Sequence, residues 1–183
     1  MTRVILCFGD SNTHGTQPMA TLDGNGRFGH DARWPSVMGR ALGPAYEVIA
    51  EGHPGRTTVH DDPTEGPHRN GVRVLPALLE SHKPLDLVIL KLGTNDLKYG
   101  FHVGPFDIAQ AIDRLVRLVQ GFGAGPAPYQ CAMASAKKRW PRAPIWNASS
   151  LSSSTIVGHS AEKWSFTSDD TNRFFVRLAM PSS

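Results

Sequence analysis

Three short apolar runs, Val4–Phe8, Tyr46–Ala50 and Leu85–Leu92, each lead into a glycine-bearing turn. They constrain the fold more than any other feature of the chain. Runs rich in Val, Ile and Leu mark strands covered on both faces, as in a parallel sheet. Segments of helical period lie between them. Trp34–Leu42 carries a proline at its second position, and Asn70–Ser81 sets Val74, Leu75, Leu78 and Leu79 on one side. Phe106–Val119 does the same with Ile108, Ile112, Leu115 and Val119, with Asp107 as a candidate cap. Alternating strands and helices predict a doubly wound α/β domain with right-handed crossovers, a parallel sheet in flavodoxin-like three-layer α/β/α order. Ligands of such sheets sit beyond the carboxyl ends of the strands.

The turns at those ends hold residues able to do chemistry. The first run enters Phe8-Gly9-Asp10-Ser11-Asn12-Thr13-His14-Gly15. A serine just past a strand can present its hydroxyl and its backbone N–H at the mouth of the sheet. Asp10 and Asn12 flank it, so this is not the G-x-S-x-G elbow. Taken alone it also fits a strand-to-helix turn capped by serine. The second run leads to Glu51-Gly52-His53-Pro54-Gly55-Arg56-Thr57-Thr58, where Gly52 lets a backbone N–H approach a ligand. The third ends at Leu92-Gly93-Thr94-Asn95-Asp96, where Asn95 offers an amide donor or forms an Asx turn, and Asp96 can cap the turn that follows. Together they supply a nucleophile and several donors for a developing oxyanion, which acyl transfer requires.

In this order the blocks Gly9-Asp10-Ser11, Gly52 and Gly93-Thr94-Asn95-Asp96 resemble the GDSL/SGNH hydrolase family. Arg33-Trp34, Glu51-Gly52, Arg56-Thr57-Thr58, Asp61-Asp62-Pro63 and Pro84–Ile89 look like its arylesterase and acyltransferase branch. The resemblance covers residues 3 to about 125. It implies a serine esterase acting on small carboxylic (aryl or acetyl) esters through an acyl-enzyme. Ser11 would be the nucleophile, and Ser11 N–H, Gly52 N–H and the Asn95 amide would form the oxyanion hole. It also implies acyl transfer to alcohols, and homo-oligomers that cover the active site. No cofactor or metal is expected. The family further has a five-stranded sheet and a late Asp-x-x-His that supplies the base and its orienting carboxylate. No Asp-x-x-His follows Asn95 here, and His159, the single histidine after His102, has Ile156 three residues before it. The alternative is therefore a catalytically impaired member that only binds an acyl ligand.

A seam near residue 130 accompanies that departure. Residues 1–129 hold 17 of the 18 glycines and 3 serines, whereas residues 130–183 hold 1 glycine and 11 serines. The formal charge is −1 before the seam (12 Lys+Arg against 13 Asp+Glu) and +4 after it (7 against 3). The basic excess thus belongs to the tail. No strand-like run is expected after Pro128, which leaves the edge of the Leu85–Leu92 strand without cover. One reading is an α/β domain over 1–129 with a disordered polar tail over 130–183. The other is a tail read out of frame. Taking the third base of each codon with the first two of the next, Met133-Ala134 forces Gly, Trp140-Pro141 forces Ala and Trp146-Asn147 forces Glu. With permissive synonymous codons, Ala132–Pro141 rereads as Asp-Gly-Phe-Gly-Glu-Lys-Ala-Leu-Ala, a turn and helix start.

Other classes fare worse. Hydrophobic content of 40% and charged content of 19% describe a globular protein, and no run approaches eighteen apolar residues. Neither membrane nor nucleic acid is an expected partner, although a basic-tailed nucleic-acid binder is the rival from another class. The expected partner is a small-molecule ester, and the expected compartment is the cytoplasm, since no secretory leader is legible. Cys7 and Cys131 are too few for a disulfide framework. Gly24-Asn25-Gly26-Arg27-Phe28-Gly29 mimics a dinucleotide fingerprint without a preceding strand, and reads as a loop. His60-Asp61-Asp62 reads as a solvated loop rather than a metal site, and His14 as a surface residue or a support at the edge of the pocket.

Overall fold

The computed structural model describes residues 2–18, 26–125, 155–158, 163–168 and 174–179. The strands are β1 (Arg3–Gly9), β2 (Tyr46–Gly52), β3 (Leu87–Lys91), β4 (Thr155–Gly158), β5 (Lys163–Ser168) and β6 (Phe174–Ala179). The helices are α1 (Ser11–His14), α2 (Trp34–Leu42), α3 (Gly71–His82) and α4 (Pro105–Phe122). One sheet has the order β2-β1-β3-β4. β1 pairs in parallel with both β2 and β3, giving the expected parallel α/β centre.

Side chains of the two inner strands alternate between two cores. Ile5, Cys7, Leu87 and Ile89 face one way, onto Met38 of α2, with Trp34 and Leu42 packed alongside. Leu6, Phe8, Val88 and Leu90 face the other way, onto Leu75 and Leu79 of α3 and Leu115 and Val119 of α4. β1 and β3 are thus covered on both sides, which is why they read as continuous apolar runs. Each fully buried Leu or Phe contributes about 1.5–3 kcal/mol relative to exposure, so this row of contacts fixes the register that sets the site.

Helix ends follow local chemistry. Pro35 occupies the first turn of α2, where its missing N–H costs nothing. The Asn70 side chain accepts from Val72 N at 3.1 Å and starts α3. Asp107 does not cap α4 from outside. It lies within the first turn and reaches back to accept from Gly104 N at 2.8 Å.

The tail departs from expectation. β4 runs antiparallel along β3, pairing Leu87 with Gly158 and Leu90 with Thr155, so the edge of β3 is covered. β5 and β6 form a separate antiparallel pair, from Lys163 opposite Ala179 to Ser168 opposite Phe174. The reading of a tail without strands is therefore corrected. The seam itself, the serine-rich run at 149–154 within the tail and His159 lie outside the described residues, as do positions 24 and 25 of the glycine-rich loop. No helix among the described residues is long and apolar enough to cross a membrane.

Candidate active site

β1 delivers the serine through a tight junction. Asp10, 1% exposed, accepts from Asn12 N at 2.9 Å and from Asn12 Nδ2 at 3.2 Å, and so caps α1. Ser11 is the first residue of that helix and is half-buried. Burial pushes the Asp10 carboxyl up, countered by the Asn12 donors and by the charge of Lys91. Burial pushes the neighbouring Lys91 amine down, countered by Asp10.

Two glycines let α1 lie on the strand ends. A Cβ at Gly9 would fall 2.1 Å from Thr13 Oγ1 and 2.9 Å from Lys91 O. A Cβ at Gly52 would fall 2.1 Å from His14 N and 2.4 Å from Thr13 C. Real Cβ contacts are never that short, so the close approach of β2 to the backbone of α1 requires glycine at 52. Register places Gly9 beside Gly52 on one side and Lys91 on the other. Ser11 and Gly52 therefore meet through the backbone of one short helix.

Asn95 opens the single turn Asn95–Leu97 that follows β3. One N–H of its amide donates to Arg56 O at 3.0 Å, which fixes the plane of the amide and leaves its second N–H. Arg56, 3% exposed, reaches from the β2 loop with Nη1 to Gly9 O at 3.0 Å and also to Glu51 O. Its guanidinium lies 4.2 Å from the centre of the Phe8 ring. Burial pushes it down to about 10, which leaves it cationic at neutral pH. Arg56 thus ties the ends of all three parallel strands together, a role invisible at the level of residue type.

The fully buried Asp96 does not cap its own turn. It accepts from Thr58 N at 3.0–3.1 Å and from Thr58 Oγ1 at 2.6 Å, and lies 2.8 Å from His60 Nδ1. The His60 ring in turn stands 5.4 Å from that of Phe101. The segment His60-Asp61-Asp62 is accordingly only partly solvated, with Asp61 exposed and Asp62 buried. Asp61 binds Asn70 and Arg73, and Asp62 binds Lys98 at 2.8 Å and the N–H groups of Thr64 and Glu65. The three side chains share no partner.

His14 and His53 stand at the α1–β2 contact. His14 Nδ1 lies 2.9 Å from Thr16 Oγ1, and His53 Nδ1 donates to Pro54 O at 2.9 Å. Burial lowers the pKa of both imidazoles, reinforced at His14 by Arg27, Arg33 and His53. At His53 the bond to Pro54 partly counters burial, while Arg56, Arg69 and His68 add to it. Both rings are biased toward the neutral form. Burial also pushes the Cys7 thiol up, so Cys7 acts as a core residue and not as a nucleophile.

The ends of successive parallel strands carry a helix-borne serine, a glycine and an asparagine amide. Comparison carries this further, because residues 7–171 match the GDSL-like Lipase/Acylhydrolase family. The chain belongs to that family. It is 46% identical to the inhibitor-bound aryl esterase of M. smegmatis, with a TM-score of 0.65 over 68% of this chain and 57% of that one. It is 42% identical to Est24, a carbohydrate acetylesterase from Sinorhizobium meliloti, with a TM-score of 0.66 over 69% of this chain and 61% of that one. The chain thus spans about 60% of the length of these solved structures. No curated protein matches it.

Proposed function

We propose that the chain is a serine esterase that cleaves small carboxylic esters, aryl or acetyl, through an acyl-enzyme on Ser11. The observation that carries this is the knot at the strand ends. Gly52 touches the helix that starts with Ser11, and Arg56 fixes Asn95 to the Gly9 end of β1. Ser11 Oγ attacks the carbonyl carbon and its proton leaves to a base. The negative charge that grows on the carbonyl oxygen meets Ser11 N–H, Gly52 N–H and the Asn95 amide. Collapse of the tetrahedral species expels the alcohol, and water releases the acid. An alcohol in place of water gives acyl transfer. The reading needs neither metal nor cofactor, and its partners are a small-molecule ester and, by kinship, further copies of the chain.

One observation favours a second reading, an impaired member that binds an acyl ligand without turning it over. The sequence has no Asp-x-x-His after Asn95 to supply the base and its orienter. Labelling by a serine-reactive phosphonate and hydrolysis of a short aryl ester separate the two. The esterase reading expects both, and expects both to vanish in Ser11→Ala. Full labelling of Ser11→Ala would move the nucleophile to another serine.

A further inference from the structure

Two guanidinium groups converge on the end of the helix that carries Ser11. Arg27 Nε donates to His14 O at 2.8 Å, and Arg33 Nε donates to Phe28 O at 3.0 Å. Phe28 N donates to Gly15 O at 2.7 Å, and Gly15 N to Ser11 O at 2.9 Å, so both arginines are anchored within a turn of the serine. The Arg33 stem lies directly over Gly15, where a Cβ would fall 2.7 Å from Arg33 Cγ.

Neither arginine has a carboxylate partner among the described residues. Three acids of the described residues are engaged elsewhere. Asp31 binds Arg40 at 3.2 Å, Glu65 binds Arg69 at 2.6 Å, and Asp61 binds Arg73. Each of Arg27 and Arg33 uses only its Nε, toward a backbone carbonyl, which leaves the terminal nitrogens of both forks without a partner among the described residues. His14 and His53 stand at the α1–β2 contact, and neither ring has an acid partner among the described residues. A guanidinium held by Nε with its terminal nitrogens open suits a carboxylate, sulfate or phosphate group, which it can grip with two parallel bonds.

We propose that Arg27 and Arg33 bind an anionic group of the substrate, so that the preferred ester carries a negative charge on its acyl or its alcohol portion. This rests on the reading of Ser11 as the acyl acceptor. A neutral ester lacks the group that fills the two forks and binds more weakly.

The test measures binding without turnover, by calorimetry on the Ser11→Ala chain. Two matched pairs place the charge on either side of the ester bond. They are 4-nitrophenyl hemisuccinate against 4-nitrophenyl butyrate, and 4-acetoxybenzoate against its methyl ester. At low salt, one of the anions binds about tenfold or more tightly than its neutral match. That preference falls toward unity at roughly 1 M salt, where the Debye length is about 3 Å. It is lost in Arg27→Gln and Arg33→Gln and partly kept in Arg33→Lys, with circular dichroism as the control on folding. The salt series on the chain with both arginines intact gives a second, independent readout. Equal affinity within both pairs, a preference that survives the Gln variants, or no binding of any of the four overturns the proposal. Loss of Ser11-dependent labelling with the preference intact would instead sink the esterase reading and leave the anion site standing.

Discussion

Asn95 donates its side-chain amide to the backbone carbonyl of Arg56 at 3.0 Å, and the same Arg56 donates its guanidinium to the carbonyl of Gly9 at 3.0 Å. One buried residue therefore sets where the β3 turn stands relative to the end of β1. Donors aimed at a developing charge are effective only if they need not reorganise when the charge appears. Arg56 O provides that fixity for one amide hydrogen, and in the proposed mechanism the other is the donor to the ester oxygen.

Asn95→Ala follows directly. Removing one oxyanion donor typically lowers kcat by about 10²–10³, with little change in KM because the charge exists mainly in the transition state. Steady-state kinetics on an aryl ester reads the split. An unchanged kcat would take Asn95 out of the hole.

Arg56→Met tests the knot by stability. The methionine keeps much of the packing over Phe8 and takes the guanidinium donor from Glu51 O and from Gly9 O, of which Gly9 O keeps the N–H of His53. An unsatisfied buried group costs about 1–3 kcal/mol. The denaturant midpoint should fall accordingly with its slope unchanged, since the surface exposed on unfolding is the same. A midpoint equal to that of the parent chain would mean that the knot does not hold the strand ends.

Much of this was legible from residue pattern and some was not. The bounds of α2 agree with the expected Trp34–Leu42, because a proline at its second position and Gly43 after it punctuate the helix. The strands β1, β2 and β3 and the helix α3 fall within two residues of expectation; β1 and β3 are buried on both faces and leave an uninterrupted apolar signal, whereas β2 is only half-buried. Arg56 and the Thr58–Asp96–His60 contacts were not legible. Their partners lie 36–47 positions away in sequence, and no local period encodes them. The family block Arg56-Thr57-Thr58 was the only hint. In the tail, the Ser-rich composition hid short strands. Lys163-Trp164-Ser165-Phe166-Thr167-Ser168 does alternate polar with aromatic, the period of a strand, but serine neighbours masked it.

The loop after β2 carries a pH dependence. Lys98, then the N–H groups of Glu65 and Thr64, hold the Asp62 carboxyl down to about 2. A carboxyl depressed below its unfolded value of about 3.9 stabilises the fold above that value. The contribution is lost as pH falls through the folded pKa. Asp10 runs the other way, because burial raises it. The readout is therefore the difference in urea midpoint between the parent chain and Asp62→Asn. That difference should be constant above roughly pH 5 and shrink between about pH 4 and pH 2. In Lys98→Met, which brings the folded Asp62 pKa toward its unfolded value, the difference should be smaller and its loss complete at higher pH. A difference that is flat across the whole range would remove the ion pair from the account of acid stability.

The last prediction concerns the base for Ser11. A serine hydroxyl is a poor nucleophile without an adjacent acceptor for its proton, and a positioned general base contributes about 10²–10⁴-fold. The tail changes composition near residue 130 and carries no Asp-x-x-His. The chain with this tail should therefore hydrolyse a short aryl ester slowly. A form re-read in the shifted frame from about residue 130 should hydrolyse it faster by about 10²–10⁴-fold, the full contribution of the base. Its activity should also gain a pH profile that rises with the deprotonation of a histidine. Both forms are expressed from coding DNA that differs by one frame correction, and each is assayed beside its Ser11→Ala variant. The Ser11→Ala pair subtracts hydrolysis that does not pass through the serine. Equal and fast Ser11-dependent rates would sink the out-of-frame reading and turn the search for the base to His159 or to a histidine of the first 102 residues.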